Sequence, residues 1–183
     1  MKFKSLIACI LMCMSLSLVA QERTIPTFDT RHKNVYVGLL GSNLLTGANF
    51  DMRLQKGRMD GLGFRTGIGG ISVPVFDEFG SEGRFGVVTL PVELNYVVGK
   101  QRNGFVAGIG ALPMYASFEG RVPNGYEEYI KAKGFGMVGF LDIGYRLQPL
   151  KNGFMMQVNW NPIISGAGFE AGWFGIGLGI GFK

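Results

Sequence analysis

The chain has 183 residues, 30 of them Gly, with 47% hydrophobic, 17% charged and a formal net charge of +5. The apolar content excludes a disordered chain, and Gly without a period of three excludes collagen. Beyond the N-terminus no apolar stretch of about 20 residues offers a membrane helix, and the small, dispersed basic excess gives no footprint for nucleic acid.

Lys2 and Lys4 precede an apolar run, Leu6 to Val19, that ends in Leu18-Val19-Ala20. This is the pattern of a secretory signal peptide cut after Ala20. Leu6-Ile7-Ala8-Cys9 resembles a lipobox, but too few residues separate it from Lys4 to form an apolar core. Residues 1–20 are thus expected to be the signal peptide, 21–33 a polar periplasmic leader, and 34–183 one domain. Cleavage removes both cysteines, Cys9 and Cys13. The exported chain then has no disulfide, and its stability has to come from hydrogen bonding and packing.

From residue 34 onward the chain alternates. Val88, Leu90, Val92, Leu94, Tyr96 and Val98 share one face, opposite Thr89, Pro91, Glu93 and Asn95. Phe174, Ile176, Leu178, Ile180 and Phe182 alternate with Gly175, Gly177, Gly179 and Gly181. A period of two sustained this long denotes half-buried strands. Eight such segments are expected, at about 34–42, 46–55, 60–71, 86–98, 104–117, 134–147, 153–163 and 173–182. Short basic turns alternate with longer loops at 72–85, 118–133 and 164–172. Together these predict an all-β fold, an eight-stranded antiparallel up-and-down transmembrane β-barrel.

A soluble lipocalin-like barrel would hide its apolar face inside. Here the other face is mostly Gly, too small for a solvated exterior and suited to a narrow lumen. The apolar face also carries aromatic residues at two heights: Tyr96, Phe105, Tyr145, Phe154 and Phe182 beside the short turns, and Tyr115, Phe135, Trp160 and Phe174 beside the long loops. Such girdles mark the two membrane interfaces. The same parity turns Asp51, Arg53, Arg65, Glu93, Asp142 and Arg146 inward, three acids against three bases. Charges in a narrow interior must pair, so a salt-bridge plug is expected, with a narrow gated pore as the alternative. The short-turn side is net basic, the long-loop side net acidic, and the lipid face carries no charge.

These features resemble the small outer-membrane barrels of the OmpA/OmpX type. The alternating last strand ending at Phe182, followed here by Lys183, is similar to the signal read by the barrel-assembly machinery. Asn49-Phe50-Asp51-Met52-Arg53, Gly61-Leu62-Gly63-Phe64-Arg65 and Leu90 to Tyr96 resemble uncharacterised small barrels of Bacteroidetes-type bacteria. The resemblance implies the outer membrane of a diderm (Gram-negative) bacterium, with lipid and lipopolysaccharide as neighbours, and it implies no activity.

Some small barrels modify lipid A with a His and a Ser or acidic partner near the outer surface. The sole His, His32, precedes the first strand on the presumed periplasmic side, so no enzyme is expected. One His and no exported Cys leave no zinc-type ligand set, and neither metal nor cofactor is expected. The Gly runs lack the following helix that a nucleotide loop needs. The candidate surfaces for an extracellular protein partner are Phe76, Asp77, Glu78 and Phe79 in one loop, and Tyr126, Glu127, Glu128 and Tyr129 in another. The function expected is non-enzymatic: a structural or surface-interaction role.

Overall fold

The computed structural model describes residues 30–76, 82–99, 101–124 and 126–183. They form one antiparallel sheet of eleven segments: β1 (Lys33–Leu40), β2 (Thr46–Arg53), β3 (Gly61–Phe76), β4 (Glu82–Thr89), β5 (Val92–Val98), β6 (Asn103–Asn124), β7 (Tyr126–Leu147), β8 (Gly153–Trp160), β9 (Ile163–Ser165), β10 (Gly168–Glu170) and β11 (Phe174–Phe182). The sheet closes on itself, because β1 pairs with β2 on one side and with β11 on the other, from Lys33↔Phe182 to Leu40↔Gly175. Closure leaves the spanning ladders without an edge, as a sheet in lipid requires.

Eleven segments make eight barrel strands. β4 and β5 are one strand broken at Leu90-Pro91, since the register against β3 runs on from Gly69↔Thr89 to Thr66↔Val92. Pro91 has no N–H to give the ladder, but its carbonyl accepts from Gly67, and the Leu90 N–H donates to the Pro113 carbonyl. β8 and β9 are likewise one strand interrupted at Asn161-Pro162, where the Pro162 carbonyl accepts from Leu141. β10 and β11 form the last strand.

Side-chain parity follows the sequence. Along β5, Val92, Leu94, Tyr96 and Val98 face out while Glu93, Asn95 and Val97 are buried. The outward faces of β2, β5, β8 and β11 carry no charged residue. The belt of half-exposed Val, Leu, Ile and Phe on the wall is far larger than a soluble monomer leaves open to water.

The expected segments differ from the observed ones mainly on the long-loop side. Much of 72–85 and 118–133 is strand rather than loop: β3 and β4 pair out to Phe76↔Glu82, β4 and β6 to Glu82↔Arg121, and β6 and β7 to Asn124↔Tyr126. The alternation of Val73, Val75 and Phe85 with polar or small neighbours carries the pairing beyond the wall. The first strand, by contrast, ends at Leu40 instead of 42. Residues 41–43 form a 3-10 turn folded over the lumen, flanked by Leu40 (φ 58°) and Leu44 (φ 66°). Two non-Gly residues in left-handed conformations mark a strained connection held by its surroundings.

The leader is also corrected at its end. Lys33 already belongs to β1, and residues 30–32 are bonded to the turn after β2: the Arg53 N–H donates to the His32 carbonyl (2.9 Å), the Gly57 N–H to the Thr30 carbonyl (3.1 Å) and Arg31 Nε to the Leu54 carbonyl (3.1 Å). The signal peptide and the rest of the leader lie outside the described residues.

Candidate functional site: the filled lumen and the standing sheet

The lumen is filled in three layers. At the short-turn end an apolar layer of Met59, Val97, Val106 and Met155 is fully buried together with His32 and Gln148. Gln148 Nε2 donates to the Met59 carbonyl at 3.2 Å, closing this end around the turns.

Above it lie the six inward charges, all buried, in two groups of opposite sign. Asp51 sits between two guanidinium groups. Arg53 Nη2 is 2.8 and 2.7 Å from its two oxygens, and Arg146 meets the same oxygens through Nη1 (2.9 Å) and Nη2 (3.1 Å). Arg65 sits between two carboxylates, ion-paired with Glu93 and, through Nη1 at 3.1 Å, with Asp142. The first group is net positive and the second net negative. Asn95 joins them, donating Nδ2 to Asp51 (2.9 Å) and to Glu93 (3.0 Å) and accepting from Arg53 (2.5 Å). Such forked, charge-assisted contacts offset part of the cost of burying each ion.

Neutral polar residues of the same parity complete the layer. Tyr36 Oη accepts from Arg65 (3.1 Å), Gln157 accepts from Arg146 Nε (2.7 Å), Asn159 donates to Asp142, and Asn34 donates to Asp51 (3.3 Å). None of the four carries a charge, so a count of inward charged residues does not include them. Their signal was available, since each has the inward parity of its strand.

The Gly-rich inward face makes room for this filling. Arg53 lies across Gly63, where any Cβ would collide with the guanidinium, and the Phe140 ring lies across Gly110 in the same way. The third layer then contains Phe140 and Leu112, both buried, with Arg65 5.8 Å from the Phe140 ring centre. Above them sits the folded-in turn Gly41–Asn43. Thr89 donates to the Asn43 carbonyl (3.2 Å), and Trp173 Nε1 donates to the Gly41 carbonyl (2.7 Å). The cavity beside Tyr36, Arg65 and Asn159 measures about 20 Å³, space for about one water molecule.

His32, at the short-turn mouth, is fully buried, and neither ring nitrogen has a hydrogen-bond partner. Burial pushes its pKa down to about 4; Asp51 pulls it up, while Arg146, Arg53 and Lys183 push it down further. Among the described residues no group of three His, Cys, Asp or Glu is placed to hold a metal ion.

The aromatic set faces outward. Tyr96, Phe105, Tyr115, Phe135, Tyr145, Phe154 and Phe174 are exposed, and Trp160 and Phe182 are half-buried. Phe105 and Tyr145 stand directly opposite each other, and Tyr145 Oη donates to Asn103 Oδ1 at 2.7 Å.

Beyond the wall, β3, β4, β6 and β7 continue as a four-stranded standing sheet. The β2–β3 ladder ends at Gly47↔Gly69, and β7 meets β9 only as far as Gly139↔Ile164. β3 from Ile71 onward and β7 before Val138 are therefore open edges among the described residues. Of the candidate loop residues, Phe76 (69% exposed) and Tyr129 (62%) lie on this sheet. Tyr129 Oη donates to Glu119 Oε2 (3.2 Å), and Lys131 pairs with Glu119 (2.6 Å). Asp77, Glu78 and Phe79 lie outside the described residues, as do the side chains of Tyr126, Glu127 and Glu128.

No family model matches the chain, and no curated protein matches it. Among solved structures it is similar to Ail, the attachment invasion locus protein of Yersinia pestis. One Ail structure, in complex with the heparin analogue sucrose octasulfate, is 11% identical, covers 84% of this chain and 97% of that chain, and has a TM-score of 0.48. A second is 12% identical over the same shares, with a TM-score of 0.46. The barrel assignment rests on the closed ladders described above.

Proposed function

We propose that this chain is a non-enzymatic outer-membrane barrel of a diderm bacterium, closed to conduction and holding the sheet of β3, β4, β6 and β7 above the surface for a partner. The observation that carries this reading is the unbroken β6–β7 ladder from Asn103↔Leu147 to Asn124↔Tyr126, which outruns the wall on both sides. Open strand edges offer unpaired N–H and C=O groups to an added strand, and exposed Tyr129, Ile130 and Phe76 supply apolar contact. The apolar outer belt supports membrane residence with lipid and lipopolysaccharide around it. Export by a cleaved signal peptide and delivery to the barrel-assembly machinery through β11 belong to the same reading, as does likeness to the OmpA/OmpX type.

Three measurements test it. The exported chain has no cysteine, so Tyr129→Cys and Lys151→Cys provide single labelling sites. A membrane-impermeant maleimide should label the first on intact cells and the second only after permeabilisation; the reverse pattern overturns the orientation. In planar bilayers the refolded protein should be electrically silent. Stable openings altered by Glu93→Ala would favour the narrow gated pore, the reading to which the polar inward Asn and Gln residues otherwise lend support. For the partner, cells bearing a chain with 118–133 shortened to a turn should lose attachment to a surface that retains wild-type cells; equal attachment to every surface removes the interaction role.

A further inference from the structure

We infer that the short-turn rim carries a binding site for an anionic phospholipid of the inner leaflet, formed by Arg102 and the turn 148–152. The inference rests on the outer-membrane reading above, which places this rim at the periplasmic interface. A groove of about 390 Å³ runs between Arg102, Pro149, Leu150, Lys151 and Phe154. Its walls are fixed to each other, because the Gln148 N–H donates to the Arg102 carbonyl at 2.7 Å.

The chemistry of the groove is that of an amphiphile site. Arg102 and Lys151 are both exposed, and neither has an ion-pair partner among the described residues. No Asp or Glu lines the groove. Arg102 precedes the girdle residue Phe105 by three positions, and Lys151 precedes Phe154 by three. Three residues span at most about 10 Å, and both cations lie in the turns just outside the strand starts Asn103 and Gly153, on the headgroup side of the girdle. Phe154 (55% exposed) on the strand side, and Leu150 (43%) beside Lys151 in the turn, offer apolar wall to an acyl chain. A soluble anion would satisfy the cations and leave this wall uncovered, so a lipid phosphate with its chains attached is the occupant that fits. Two unneutralised cations favour a net-negative headgroup over a zwitterion.

The test uses the refolded mature chain in detergent, with lipid adducts counted by native mass spectrometry. Dioleoylphosphatidylglycerol should be retained about thirtyfold more than dioleoylphosphatidylcholine, from about 1 kcal/mol for each of the two basic side chains near the surface. The preference should fall to within about twofold in R102Q/K151Q and in 0.5 M salt, and stay near wild type in K56Q, which removes a cation from a different turn. Equal retention of the two lipids, an R102Q/K151Q variant that keeps the preference, or a K56Q variant that loses as much would each overturn the site. Should R102Q/K151Q fail to fold, R102K/K151R must keep the preference and the salt series decides. A chain that inserts into vesicles without lipid preference overturns the site alone; a chain that never inserts overturns the outer-membrane reading with it.

Discussion

Asp51 faces Arg65 directly across the β2–β3 ladder, yet the two are not ion-paired. Asp51 gives its oxygens to Arg53 and Arg146, while Arg65 turns to Glu93 and Asp142. Asp51 and Arg65 thereby each find two opposite charges, and the two groups cancel each other's excess.

This division predicts unequal costs. Arg65→Ala leaves Glu93 and Asp142 buried without a base and should lose about 3–5 kcal/mol of stability. Arg53→Ala leaves Asp51 still held by Arg146 and should lose less than half as much. Urea unfolding in lipid vesicles measures both. A lumen open to water would screen the Arg65 loss to below about 1 kcal/mol.

His32 predicts a pH dependence. Its folded pKa of about 4 lies below the unfolded value of about 6.5, so between those values the unfolded chain binds the extra proton. The contribution of the neutral imidazole is complete above about pH 6.5 and is lost as pH falls toward 4, by up to about 3 kcal/mol. The difference between wild-type and His32→Asn stability curves isolates this from the carboxylates. A flat difference across that window refutes it.

Gly110 predicts a steric coupling. Gly110→Ala drives a methyl group into the Phe140 ring and should cost about 1–3 kcal/mol. Phe140→Leu should recover part of that loss in the double variant, giving a favourable coupling energy in a double-mutant cycle. Strict additivity would mean that the ring does not rest there.

Shortening 118–133 predicts a separation of parts. The wall ladders do not depend on this segment, so the shortened chain should keep heat-modifiable gel migration and lie within about 1 kcal/mol of wild type. Loss of the folded band would show the standing sheet to be part of the barrel's own stability.

Where alternation is strict, the sequence shows the wall plainly. β11 alternates Gly with Ile, Leu and Phe along its whole length, and its register to both neighbours follows. Alternation also puts all six charges on the inward face, where they are buried. Their partners were not legible, since Arg53 and Arg65 are long enough to reach past their neighbours and sequence does not specify a rotamer. The hydrophobic inward residues were hidden for another reason. Val97 and Met155 break the polar-in pattern at the short-turn end, where an apolar layer closes the tube, and Leu112 and Phe140 break it above the charges. The standing sheet was hidden because Glu119, Arg121 and Lys131 look like solvated loop residues, and a two-sided exposed hairpin needs no apolar face. The break at Leu90-Pro91 was invisible for the opposite reason, its alternation running through undisturbed.

The β1–β11 ladder has a consequence for biogenesis. The seam that seals the tube joins the first strand of the domain to the last, so every shorter length of chain has two raw edges, and any length that stops short of β7 also has uncancelled ions between them. Asp51 waits for Arg146, and Arg65 waits for Asp142, each supplied from the opposite half of the polypeptide. Wall and filling therefore become stable together, in a late and cooperative event. A nascent chain arrested before residue 174 is an aggregation hazard that the cell must hold in an unfolded form until the final strand is delivered.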